Sequence, residues 1–204
     1  MIRVLILSFF AFFSYLSSLS ASTIMIMGDS ISAGYGMNID DAWPSIAARK
    51  LGASHVVINA SISGDTSAGG LSRLQEGLNR HQPDIVIIEL GGNDGLRGLS
   101  LEHLKQSLIM IAQQSLDSGA IVLICGMQMP PNYGPIYANA FENTYYDVAQ
   151  QLNITIIPKF IEAVALSPEM MQSDGIHPNK RGHENLTFLI LPYVTEALNH
   201  VANR

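Results

Sequence analysis

Five short apolar runs, rich in β-branched residues, constrain the fold of this chain more than any other feature of its sequence. They lie at residues 24–27, 56–59, 85–90, 121–125 and 154–157. Apolar and polar residues do not alternate within them, which is typical of strands buried on both faces of a parallel sheet. Amphipathic patterns fill the intervals, and the clearest of them spans residues 186–201. Strands that alternate with helices predict a three-layer α/β/α sandwich with right-handed crossovers.

Residues 1–21 have the three-part pattern of a secretory signal peptide. Arg3 precedes an apolar stretch at residues 4–16, and small residues follow at 17–21. The apolar stretch is shorter than the roughly 20 residues that a membrane-spanning helix needs, and a retained anchor is the alternative. We expect cleavage near the end of this segment, export to the periplasm or the medium, and no stable insertion into a membrane. Residues 22–204 are then expected to form a single domain.

The composition narrows the range of partners. The net charge is −6 and no basic patch is visible, which argues against nucleic acid. The single cysteine, Cys125, lies in an apolar run, so we expect the domain to be held by its core rather than by a disulfide. His177, His183 and Glu184 do not have a convincing zinc spacing, and we expect neither a metal nor a cofactor. We expect a monomer that acts on small molecules.

Polar clusters follow four of the predicted strands. They lie at residues 28–30, 60–66, 91–94 and 174–177. Parallel strands of a doubly wound sheet end at one edge, and ligands bind in the crevice where the strand order reverses. With a flavodoxin-like five-stranded order of 2-1-3-4-5, that crevice lies between the first and third strands. We therefore expect Ser30 and Asn93 to flank the crevice, with Gly64 alongside.

The residue types in these clusters suit acyl transfer through a serine nucleophile. We expect Ser30 to attack an acyl carbonyl from a turn that exposes its hydroxyl. His177 is expected to take the serine proton and later protonate the leaving group, while Asp174 holds the imidazole in the right tautomer. The backbone N–H groups of Ser30 and Gly64 and the side-chain amide of Asn93 are expected to bind the oxyanion.

Each of these residues also has an ordinary structural interpretation. A glycine turn that ends in Ser30 is a common start of a helix. Gly64 and Asn93 are common turn residues, and His177 could belong to a loop that enters a helix. Further polar residues beside the candidates are expected to brace the loops: Asp29, Asp65, Asp94 and Arg97.

Taken together, the four clusters resemble the SGNH (GDSL-type) hydrolase family, which is named after the residues Ser, Gly, Asn and His. The matching positions here are Ser30, Gly64, Asn93 and His177, with Asp174 as the acid. Ile31 stands where the family motif has leucine, which is a conservative departure. Longer segments, such as Gly-Asp-Ser-Ile-Ser-Ala-Gly-Tyr, are similar to the periplasmic thioesterase, lysophospholipase and arylesterase subgroup. The resemblance implies an exported serine hydrolase of acyl thioesters, lysophospholipids and simple aryl esters.

The resemblance also implies that a mobile loop after the fourth strand helps to form the acyl-binding site. The matching segment contains Met127, Met129, Pro130 and Tyr133. Methionines with prolines and an aromatic side chain suit an adaptable apolar wall, and a plain surface loop is the alternative.

Two other functions stay open at this point. A carbohydrate O-acetylesterase shares the reaction class, because SGNH members also deacetylate polysaccharides. The sequence has a single tryptophan, Trp43, and no carbohydrate-binding appendage, which argues against it. A non-catalytic exported binding domain could keep the same scaffold, but it would be expected to lose at least one catalytic position.

Overall fold

The computed structural model describes residues 21–204, so the predicted signal peptide lies outside the described residues except for Ala21. Within this range, none of the helices combines the length and the apolar character that a membrane crossing requires. The described chain folds around one sheet that has helices on both faces.

The sheet consists of five parallel strands in the order β2-β1-β3-β4-β5. The strands are β1 (Ser22–Gly28), β2 (His55–Asn59), β3 (Ile85–Glu89), β4 (Ile121–Cys125) and β5 (Thr155–Ile157). The order reverses between β1 and β3, which pair directly in parallel register. This confirms the predicted flavodoxin-like sheet and places its crevice at the carboxyl ends of β1 and β3.

Eight α-helices connect or flank the strands in the described part of the chain. They are α1 (Ser30–Ala33), α2 (Trp43–Leu51), α3 (Ser67–His81), α4 (Gly92–Leu96), α5 (Leu101–Asp117), α6 (Pro135–Leu152), α7 (Glu162–Ala165) and α8 (Lys180–Ala202). Short 3₁₀ turns lie at Ile39–Asp41, Pro131–Tyr133 and Pro168–Met170. The two short helices α1 and α4 follow β1 and β3 closely, with Asp29 between β1 and α1 and with Leu90 and Gly91 between β3 and α4.

Successive side chains of the central strands pack into two separate cores, because residues of a strand point alternately to opposite faces. Met25 and Met27 of β1 pack with α3, α5 and α6 on one face. Ile24 and Ile26 pack with α2 and α8 on the other. Both faces are therefore covered, which explains why the apolar runs show no alternation and confirms the three-layer sandwich.

Candidate active site

Ser30, His177 and Asp174 form a continuous chain of hydrogen bonds at the carboxyl edge of the sheet. Nε2 of His177 lies 2.9 Å from Oγ of Ser30, although 147 residues separate the two in sequence. Nδ1 of His177 lies 2.7 Å from Oδ2 of Asp174. The arrangement has the connectivity that a nucleophile, a base and an orienting acid need.

The turn that presents Ser30 is tightly packed. Gly28 ends β1, Asp29 caps α1 by accepting a hydrogen bond from the N–H of Ile31 at 3.0 Å, and Ser30 begins the helix. A Cβ atom at Gly28 would lie 2.7 Å from both a carboxylate oxygen of Glu89 and the Ser32 side chain. Glycine is therefore required where the strand turns into the helix, because nothing larger fits.

Asp174 is held as a carboxylate by the loop that it belongs to. Its Oδ1 accepts hydrogen bonds from the N–H groups of Ile176 at 2.9 Å and His177 at 3.0 Å. The pKa of Asp174 is lowered to about 2, chiefly by the hydrogen bond from the His177 backbone N–H and further by those from the His177 imidazole and the Ile176 N–H. An ionised carboxylate only accepts hydrogen bonds, so Nδ1 of His177 must donate to it. This tautomer leaves Nε2 free to accept the Ser30 proton.

The predicted oxyanion donors lie on neighbouring loops that contact each other. Asn93 lies in the first turn of α4, and its Nδ2 donates to Oδ2 of Asp29 at 3.1 Å. Gly64 has a φ of 80°, a left-handed conformation that glycine adopts without strain. Arg97, at the end of α4, donates from Nη2 to the Gly64 carbonyl oxygen at 2.8 Å. The loops after β1, β2 and β3 are therefore joined by side-chain hydrogen bonds.

Two further acids brace the same edge, as expected from the sequence. Asp94 is buried and accepts hydrogen bonds from the N–H of Ser67 at 2.8 Å and from its hydroxyl at 2.7 Å. Asp65 forms an ion pair with Arg73 at 2.8 Å. These contacts fasten the start of α3 to α4 and to the loop that carries Gly64.

The sequence did not single out Glu89, which lies at the end of β3, buried beneath the turn that carries Ser30. Its Oε2 accepts hydrogen bonds from the Ser32 hydroxyl at 2.5 Å, the Ser32 N–H at 3.2 Å and the Asp29 N–H at 3.3 Å. Desolvation, followed by repulsion from Asp29, raises its pKa well above the usual range. Desolvation likewise raises the pKa of Asp29 to about 6. A lone acid at the end of an apolar run was the only signal for Glu89.

The segment after β4, which is predicted to form an apolar wall, has both of its methionines packed into the core. Met127 and Met129 are only 4% and 8% exposed and belong to the core. A Cβ at Gly95 would lie 2.5 Å from Sδ of Met129, so this side chain packs directly beneath α4. Pro130 is exposed, and the Tyr133 hydroxyl donates to the Leu96 carbonyl oxygen at 3.0 Å. The segment supports α4, and a role in acyl binding stays a prediction.

Among residues 21–204, no three His, Cys, Asp or Glu side chains come close enough together to hold a metal ion. His183 is buried, its Nδ1 accepts a hydrogen bond from the Trp43 N–H at 3.1 Å, and desolvation lowers its pKa to about 4. It is therefore a neutral structural histidine.

Comparisons with known proteins all match this chain to the same family. Residues 26–184 match the model of the GDSL-like Lipase/Acylhydrolase family. The chain is 48% identical over 162 residues to the esterase TesA of Pseudomonas aeruginosa, covering 78% of this chain and 81% of that protein. It is 41% identical over 181 residues to thioesterase 1/protease 1/lysophospholipase L1 of Escherichia coli K12, covering 89% and 87% respectively. A crystal structure of TesA aligns with a TM-score of 0.84 at 44% identity, covering 86% of this chain and 99% of that chain.

Proposed function

Because this chain belongs to the GDSL-like lipase/acylhydrolase family, we propose that it is a serine hydrolase that cleaves acyl esters and thioesters through an acyl-enzyme at Ser30. The observation that carries the proposal is the hydrogen-bond chain from Ser30 through His177 to Asp174. The names of the relatives, an esterase and a thioesterase/lysophospholipase, support the same reaction class.

In the first half-reaction, Oγ of Ser30 attacks the carbonyl carbon while its proton passes to Nε2 of His177. The N–H groups of Ser30 and Gly64 and the amide of Asn93 stabilise the negative charge on the carbonyl oxygen. The bond to the leaving oxygen or sulfur then breaks, and the proton on Nε2 passes to that atom. The ionised Asp174 stabilises the imidazolium throughout.

In the second half-reaction, water attacks the acyl-serine ester and gives its proton to Nε2 of His177. The tetrahedral intermediate collapses, the carboxylic acid leaves, and the proton returns to Oγ of Ser30. Each turnover therefore consumes one water and restores the enzyme without a redox step or an external proton donor.

The favoured substrates are small acyl esters and thioesters, and lysophospholipids fit the same chemistry. We propose in addition that residues 1–21 are a signal peptide and that the domain acts in the periplasm or the medium. Amino-terminal sequencing of the protein recovered from a periplasmic fraction tests this part, with a start near Ser22 as the expected result.

Ser30→Ala tests the reaction itself. We expect the variant to fold normally and to lose turnover of an aryl ester by on the order of 10⁴-fold or more, because no acyl-enzyme forms. Near-normal turnover would exclude Ser30 as the nucleophile. A series of aryl esters from acetyl to long-chain acyl distinguishes this enzyme from a carbohydrate O-acetylesterase, which should act on acetyl esters alone.

A further inference from the structure

The loop that carries Asp174 and His177 is exposed over residues 173–176, whereas Ser30 lies on the packed turn after β1. Because Asp174 and His177 lie on the same loop, the hydrogen bond between them moves with it. The bond from His177 to Ser30 is different, since it joins two separate segments of chain. The alignment of the triad therefore depends on whatever holds the loop against the turn.

Gln172 makes that connection. Its Nε2 donates to the Tyr35 carbonyl oxygen at 2.8 Å and to the Pro178 carbonyl oxygen at 3.0 Å. Its backbone N–H donates to the His177 carbonyl oxygen at 2.8 Å. Gln172 thus attaches the loop to the segment that follows Ser30 and, together with Asn179, which bonds to Met170 and Met171, closes the loop at its base.

The segment on the other side is shaped to receive this side chain. Gly36 has a φ of 74°, and a Cβ placed on it would lie 2.5 Å from Oε1 of Gln172. The neighbouring Tyr35 ring packs on the His177 imidazole with 4.5 Å between the ring centroids. In the described chain, the Gln172–Tyr35 bond is the only hydrogen bond between residues 30–36 and 171–178 besides that of Ser30 with His177.

We propose that Gln172 is a positioning residue, which holds His177 within hydrogen-bonding distance of Ser30 by fixing the loop to the Tyr35 carbonyl. The inference rests on the proposed serine mechanism but concerns a residue that never touches substrate. Without the two side-chain donors, Asp174 and His177 shift together and the Ser30–His177 bond lengthens. A misplacement of about 1 Å in a reacting group costs on the order of 10²-fold in rate.

The test compares Gln172→Met, which keeps the length of the side chain and removes both donors, with Gln106→Met. Gln106 is exposed on α5, and its side-chain amide donates to Glu102, one turn away on the same helix. For Gln172→Met we expect kcat for an aryl ester and the rate of labelling by a serine-reactive phosphonate to fall by about 10- to 100-fold. KM should stay within about twofold, because the variant leaves the substrate contacts in place. The Gln106 variant should match the wild type in all three measurements.

Nitrogen chemical shifts of the His177 imidazole separate positioning from a general loss of loop structure. In Gln172→Met, the tautomer protonated at Nδ1 should persist, because Asp174 and His177 stay paired on their own loop. Unchanged kcat in this variant would overturn the proposal, and so would loss of that tautomer together with activity. A wild-type protein that hydrolyses no ester would instead contradict the proposed function, so the two failures are distinct.

Gly36→Ala provides a second, independent test of the role of Gln172. The added methyl must push the Gln172 amide away from Tyr35, whereas Gly119→Ala adds a methyl with nothing within 4 Å. Both glycines have positive φ values, 74° and 91°, so both variants are expected to carry similar backbone strain. We expect kcat to fall in Gly36→Ala and to stay unchanged in Gly119→Ala. Equal kcat values in the two variants would contradict the proposal.

Discussion

The side-chain amide of Asn93 donates to Oδ2 of Asp29, the residue immediately before Ser30, at 3.1 Å. This contact joins the loop after β3 to the turn after β1, so the predicted oxyanion donor is oriented by the residue that caps the helix beginning at Ser30. The orientation of the Asn93 amide therefore depends on the charge of Asp29. Since desolvation raises the pKa of Asp29 to about 6, that charge changes within an accessible pH range.

Asp29→Asn is expected to lower kcat by about tenfold, a fraction of the roughly 10²–10³ that losing an oxyanion donor costs. The reason is that the neutral amide introduced by this substitution is a weaker acceptor for the Asn93 side chain than a carboxylate is. Steady-state rates at pH 8 measure the effect. Asp117→Asn on the exposed end of α5 is the control, and equal rates for the two variants would show that the Asp29 charge has no part in positioning Asn93.

The same substitution should change how stability depends on pH. The pKa of Asp29 is raised from 3.8 to about 6 in the folded protein. Its contribution to stability is therefore fully present below pH 3.8 and is lost as the pH rises through about 6. We expect the free energy of unfolding of Asp29→Asn, minus that of the wild type, to increase between pH 4.5 and pH 7.5, so that the variant becomes more stable relative to the wild type. Urea denaturation at the two pH values measures this, and parallel behaviour of both proteins would refute it.

Asn93→Ala is expected to lower kcat by about 10²–10³ and to slow phosphonate labelling without abolishing it, because the nucleophile and base stay intact. Asn139→Ala, on the exposed side of α6, should leave both rates unchanged. Kinetics on one aryl ester with both variants provide the comparison. A change confined to KM would mean that Asn93 binds substrate rather than stabilising the oxyanion.

Replacing both Met127 and Met129 with serine tests the predicted acyl wall. Because both side chains are buried in the core, we expect a loss of several kcal/mol in the free energy of unfolding. We also expect kcat/KM to fall progressively more as the acyl chain of the substrate lengthens, at about 0.8 kcal/mol for each methylene no longer covered. Met129→Leu, which keeps the apolar volume, should retain both properties. An equal fall in kcat/KM for acetyl and long-chain esters would show that the segment supports α4 and does not bind the acyl chain.

The sheet could be predicted from the sequence because its strands are buried on both faces, so each strand is a short run of apolar residues that can be recognised locally. β1 was predicted over residues 24–27 and extends over Ser22–Gly28, so the differences lie at the ends. The loops that carry Ser30 and Asn93 follow from the topology, since parallel strands end on one edge. The contact of Gln172 has no local sequence signal, because its partner Tyr35 lies 137 residues away and accepts the hydrogen bond through its backbone carbonyl.

Among the buried polar groups, Asp29 and Asp94 were expected to brace the loops, whereas Glu89 was not predicted. Glu89 sits in an apolar run where its neighbours predicted only a strand, and its partners lie 57 and 60 residues away. Met127 and Met129 have side chains that suit a core as well as a binding wall, and only the packing under α4 distinguishes the two environments. Residue type alone allows either environment for a methionine, and only the tertiary structure shows which of the two it occupies.

The serine mechanism can be tested by labelling the purified protein with a serine-reactive phosphonate and mapping the modified residue by mass spectrometry. The proposed mechanism predicts one phosphonate per chain, attached to Oγ of Ser30, with loss of ester hydrolysis in proportion to labelling. The label should be absent from Ser30→Ala. A label on another residue, or full hydrolytic activity in protein that is completely labelled at Ser30, would exclude Ser30 as the nucleophile.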